Sequence, residues 1–101
     1  MMHIEESKKL LALLAARLRA ERLARNDTMA VFAERIGVSL GTVRAMERGS
    51  PTVQVGAWCN ALWVLDRLTD LEQVLQPRSS LLDRAREARK SRRQRASKPR
   101  R

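Results

Sequence analysis

The chain has 101 residues, the length of one small domain, and a core of that size leaves little room for a catalytic cleft beside its own packing. Its 21 Lys and Arg outweigh 11 Asp and Glu for a net charge of +10, but residues 88–101 hold eight of the bases and no acid, so residues 1–87 carry only +2. A near-neutral body with a basic tail points to a polyanion, while the single cysteine, Cys59, excludes an internal disulfide and fits a reducing, cytoplasmic compartment.

Leucines and alanines at positions 10, 11, 14, 15 and 18 recur at helical spacing, so one amphipathic helix is expected over about residues 4–25. Its acids come first and its arginines last, as the helix dipole favours, and Asn26-Asp27 stops it. Thr28 is placed to N-cap a second, short helix through Ile36, with Val31, Phe32 and Ile36 inward and Gly37 as a left-handed cap. Ser39 is placed likewise before a third helix, Leu40–Arg48, with Val43 and Met46 inward and Gly49 beyond its end.

Pro51 breaks the chain, and Val55–Leu65 then reads as a densely apolar fourth helix, expected to be the most buried. Trp58 and Trp63 cannot fully share one face of it; core packing is expected for either, with a partner contact as the alternative for one. Cys59 reads as a small buried hydrophobe. Thr69 and Glu72 have capping-box spacing, so a fifth helix is expected from there to Pro77, and Ser80–Asp83 would start a sixth that frays into the arginine run. The stretch "REARKSRRQRASKPRR" has too few apolar residues to fold alone and is expected to stay disordered until it meets DNA or protein. No strand-like alternation occurs, so the expectation is an all-α, five-helix domain over residues 1–77 with a basic, partly helical or disordered tail over 78–101.

The longest apolar run, Leu10 to Ala16, is far short of the roughly 20 residues of a bilayer span, and no small-residue cleavage site follows it, so neither a membrane segment nor a secretory signal is expected. Catalytic material is thin: one His, one Cys, no Tyr, no phosphate-cradling glycine loop and no metal-ligand spacing. An enzyme, a cofactor and a bound metal are accordingly not expected.

A short helix, a glycine-centred turn and a second short helix, Thr28 to Arg48, are the ingredients of a helix-turn-helix, whose second helix enters the major groove. Residues 22–49 resemble the Xre/Cro repressors: "TMAVFAERIGVS" stands where the family has a pattern like "TQxxLAxxxGVS", and "LGTVRAMERG" where it has "xxTVxxxExG". The resemblance, extending over about residues 8–75, implies double-stranded DNA as partner and a DNA-contacting set of Thr28, Met29, Ser39, Leu40, Gly41, Thr42, Arg44 and Arg48. Met29 occupies a position where the family usually has Gln, so an anchoring hydrogen bond to phosphate or base is either missing or supplied elsewhere. Arg44 is the long donor suited to guanine O6 and N7, and Leu40 to a thymine methyl. Glu47 would repel phosphate if it faced DNA; the resemblance pairs it inward with Arg22.

The segment "ERGSPTVQVGAWCNALWVLDRL" is similar to the "ERGDPxVSxGTWxxALWxL" stretch of the HipB-like antitoxins, encoded beside HipA-type kinases, and departs from it at Ser50, Gln54 and Ala57. This resemblance implies a homodimeric repressor of its own operon that also binds a HipA-like kinase toxin or an associated protein. The alternatives are a phage or mobile-element regulator without a toxin, and a partner-sequestering protein with weak DNA binding. In the tail, Arg89, Lys90, Arg92, Arg93 and Arg95 are expected to reach phosphate or the minor groove beside the operator, or else the toxin.

Overall fold

The computed structural model describes residues 4–78, 84–90 and 92. Four α-helices follow in chain order, α1 (Glu5–Ala24), α2 (Met29–Ile36), α3 (Leu40–Glu47) and α4 (Val55–Val64), then a 3₁₀ helix over Leu68–Gln73. Residues 84–90 and 92 are helical too, and the described residues contain no strand. The fold is all-helical.

Local chemistry sets the boundaries. α1 stops where Asn26 adopts φ 59°, a left-handed conformation that Asn tolerates better than most residues. Thr28 Oγ1 then accepts the Val31 N–H at 3.1 Å and caps α2. Gly37, at φ 71°, ends α2 by letting the Gly37 and Val38 N–H groups return to the Glu34 and Ala33 carbonyls at 3.3 and 3.0 Å. Only Gly37, Val38 and the cap residue Ser39 separate α2 from α3. Gly49 repeats the device after α3 at φ 76°, where an added Cβ would also come within 3.3 Å of the Leu11 carbonyl oxygen on α1.

α3 packs on both α1 and α2, and α4 closes over α2. Leu18, Phe32, Ala33, Ile36, Val43, Met46, Ala61 and Leu65 form the core, with Trp58, Val64 and Met29 packed half-buried against it. Phe32, Val43 and Met46 are fully buried, each contributing about 1.5–3 kcal/mol through removal of apolar area from water. Two polar ties fasten α4: the Asn60 side-chain amide donates to the Ile36 carbonyl at 3.1 Å, and Arg25 donates to the Leu65 carbonyl at 3.0 Å. Arg67 bridges Glu21 of α1 and Asp70 of the 3₁₀ helix.

The structure corrects several expectations. α4 is not the most buried helix: Ala61 is its one fully buried residue, Cys59 is half-buried, and Val55 and Trp63 are 71% and 70% exposed. A single layer of helices covers only one side of α4, so apolar composition all round does not translate into burial within one chain. Val31 lies outward and Ala33 takes the inward place on α2, because Phe32 and Ile36 set a core stripe that Ala33, not Val31, adjoins. Leu10 is exposed as well, since α1 meets the core further along, at Ala15 and Leu18.

The expected fifth α-helix is the 3₁₀ helix Leu68–Gln73, with Thr69 inside it and no side-chain cap on its first turn. Its start is held by the Arg67–Asp70 pair instead. The expected start of a sixth helix at Ser80 lies outside the described residues. The helix at 84–90 and 92 falls within the tail expected to be partly helical or disordered, along the stretch where a sixth helix was expected to run into the arginines; Arg, Ala, Glu and Lys are all strong helix formers.

Candidate nucleic-acid interface

Burial on α3 divides its residues by face. Val43 and Met46 are fully buried, which turns Gly41, Arg44 and Arg48 to the opposite, exposed side. Leu40, Thr42 and Ala45 flank this side half-buried. Neither Arg44 nor Arg48 makes a side-chain hydrogen bond or ion pair among the described residues, so both guanidiniums present their full fan of donors to solvent.

At the front of α3, Ser39 Oγ accepts the Thr42 N–H at 3.1 Å, and the two hydroxyls lie 2.9 Å apart. These side chains hold the helix start in shape, and between them one hydroxyl hydrogen remains to donate outward. Thr28 does the same at α2. Its oxygen accepts from Val31, and the residue is exposed at the start of α2, where a helix end favours an anion. Met29 is half-buried, packed against the core.

Glu47 is one residue from Arg48 yet adds no negative charge to the exposed face. Arg22 Nε donates to Glu47 Oε2 at 2.6 Å and a second guanidinium nitrogen donates to Oε1 at 3.0 Å, a two-point pair between side chains only 7% and 6% exposed. The third donor of Arg22 reaches the Asp27 carbonyl at 2.7 Å. This hydrogen bonding to Glu47 raises the Arg22 pKa further above its ordinary value, against the opposing effect of burial. One guanidinium thus ties α1, the α1–α2 loop and the end of α3 together beneath the outward arginines. Asp27 is itself buried; Arg35 Nε lies 3.3 Å from its Oδ2, within ion-pair distance but without hydrogen-bond alignment.

Beside α3 an open groove of about 740 Å³ runs from Ser39, Gly41 and Ala45 to Thr52, Gln54 and Gly56 at the start of α4. Ala45, Thr52 and Gln54 line this groove although the sequence analysis assigned none of them to the DNA-contacting set. Ala45 was accessible as the residue one helical turn after Gly41; the other two reach the groove only through the way the loop after α3 folds back. Gln54 stands at the N-cap of α4 without a side-chain cap bond.

Among the tail residues singled out, Arg89, Lys90 and Arg92 are exposed, and Arg93 and Arg95 lie outside the described residues. No group of His, Cys, Asp and Glu able to hold a metal occurs among the described residues, and no helix there is long and apolar enough to cross a membrane.

Residues 18–55 match the helix-turn-helix family model, from the last turns of α1 through α2, the Gly37 turn and α3 to the first residue of α4. No curated protein and no solved structure gives a significant match. The matched span coincides with the two short helices whose caps, turn and outward arginines have just been described. Over residues 18–55 the chain is therefore similar to a helix-turn-helix domain, and the all-helical fold agrees with that likeness.

Proposed function

We propose that the protein is a cytoplasmic, sequence-specific repressor that binds as a homodimer to an inverted repeat in its own promoter, and that it is the antitoxin of a HipA-type kinase module. The observation that carries the DNA reading is the outward face of α3 in the matched segment, where Arg44 and Arg48 stand exposed along with Gly41. α3 enters the major groove, with Arg44 reading guanine and Leu40 meeting a thymine methyl. Thr28, Ser39 and Thr42 position the unit on phosphate through hydroxyl and amide donors, while Met29 packs beside them. The kinase partner rests on the likeness of residues 47–68 to the HipB-like stretch, whose Pro turn and Trp/Leu pattern this chain keeps.

A single recognition helix covers only a few base pairs, so affinity and specificity require two half-sites about 34 Å apart or a multiple of it. Footprinting the full-length protein on its own promoter tests this. Protection of two symmetric half-sites supports the reading; a lone half-site occupied by a monomer at full affinity rejects it. A second reading, a partner-sequestering protein with weak DNA binding, is favoured by two features: Met29 turned into the core and the bare surface at Gly41. Equal affinity for promoter and random DNA, together with tight binding to the neighbouring gene's product, identifies that case.

A further inference from the structure

α4 contains no Asp, Glu, Lys or Arg, and its inner face accounts for only part of that apolar composition. Ala61 packs into the core with Trp58 and Val64 against it, but Val55 and Trp63 are 71% and 70% exposed and Cys59 is half-buried. Positions 55, 59 and 63 are four residues apart and so form one stripe down the outer face. Gly56 lies next to it, where an added Cβ would meet nothing within 4 Å. An uncharged helical face bearing an exposed tryptophan is unusual on a free protein surface and marks a contact site.

We propose that this stripe is where a second copy of the chain docks, the two α4 helices running antiparallel about a two-fold axis at Cys59. The inference rests on the dimeric reading above and assigns its surface. Three features select a second copy over a different protein. First, the stripe is symmetric about its middle: with Cys59 on the axis, each Trp63 lands on the partner's Val55, a large side chain against a smaller one, with Gly56 leaving room for the ring. Second, a face without charge meets itself without placing like charges together.

Third, the ends complement each other. The N-terminus of α4 has no side-chain cap, and Asp66, exposed just past the other end, has a carboxylate that takes no hydrogen bond among the described residues. The antiparallel register brings Asp66 of each copy beside the uncapped amides of the other, where the helix dipole favours an anion. Two tryptophans and two valines with their neighbours bury on the order of 1,000 Å² in total, the low end of specific interfaces, so the dimer is concentration-dependent and is completed by binding to two half-sites.

Cys59 is the chain's one cysteine and serves as the reporter. The full-length protein is treated with a short bis-maleimide and run on a denaturing gel, while its mass is followed by sedimentation over a range of concentrations. The expected result is a reversible dimer that crosslinks through Cys59. Trp63→Glu should weaken self-association roughly tenfold or more, since a buried aromatic anchor is replaced by a charge, and abolish the crosslink. Trp63 is exposed, so circular dichroism should show this variant folded and melting like the wild type. A dimer in which Cys59 fails to crosslink, or which Trp63→Glu leaves intact, overturns this surface and spares the dimeric reading. A monomer at every concentration, both free and on promoter DNA, overturns the dimeric reading and this inference with it.

Discussion

Arg22 shows how one buried charge is made tolerable and useful. Its donors are divided between the Glu47 carboxylate and the Asp27 carbonyl, so the cost of taking a guanidinium out of water is offset by directed bonds from two other segments. Glu47→Ala leaves this cation buried and unpaired and should lower stability by about 3 kcal/mol, read as a drop in denaturant midpoint without a change in slope. The Arg22 pKa is raised, so the arginine's side of the pair is fully present below the ordinary arginine pKa and is lost only as pH climbs above it. An unchanged midpoint in Glu47→Ala would contradict a buried, stabilising pair.

Arg44 works in the opposite way, through exposure. No packing holds its side chain, so Arg44→Ala should leave stability within about 0.5 kcal/mol of wild type, read by thermal melting. On the proposed function the loss belongs in binding: about 1–3 kcal/mol on the promoter site and little on random DNA, because the donor pair proposed to read a base disappears. Comparable losses on both DNAs would make Arg44 a phosphate contact instead.

The elements divide into those that sequence could reveal and those it could not. Thr28, Ser39, Gly37 and Gly49 act within four residues of themselves, through caps and left-handed turns, and their positions could be read directly from the chain. The inward set of α3 followed from the same local periodicity. The outward face of α4 did not, because burial depends on what lies across from a helix, and nothing in an apolar run says whether its partner is in the same chain. The 3₁₀ helix departs from expectation for a related reason: Thr69 and Glu72 have the spacing of a capping box, but Arg67 reaches both Glu21 and Asp70 and fixes a tighter turn one residue earlier. That Thr52 and Gln54 line the groove could not be read from the chain, because a loop carries no periodic signal that says where it folds back.

The two cap glycines give an element-scale test. Both sit at positive φ, but a Cβ at Gly37 meets nothing, whereas one at Gly49 presses on the α1 backbone. Gly37→Ala should therefore cost about 1 kcal/mol, the conformational penalty alone, and Gly49→Ala distinctly more, about 2 kcal/mol or above. Thermal melts of the two variants side by side decide it, with equal losses counting against a close approach of α1 to the end of α3.

At the scale of the whole molecule, charge is segregated along the chain. Residues 1–87 carry +2, while residues 88–101 bring eight cations, of which Arg89, Lys90 and Arg92 stand exposed on helical backbone. DNA binding releases condensed counterions in proportion to the phosphates neutralised, so a segment of this kind acts on the salt dependence of affinity more than on the choice of sequence. Deleting residues 88–101 should weaken promoter binding and flatten the log–log salt slope by about 0.9 for each phosphate no longer neutralised. The ratio of promoter to random-DNA affinity should largely survive, since Arg44 and the α3 face are untouched and an arginine arm reads charge and groove width rather than base identity. Titrations of full-length and truncated protein at several salt concentrations measure both quantities. A truncated protein that keeps the full slope but no longer binds its protein partner would move the tail from DNA to that partner.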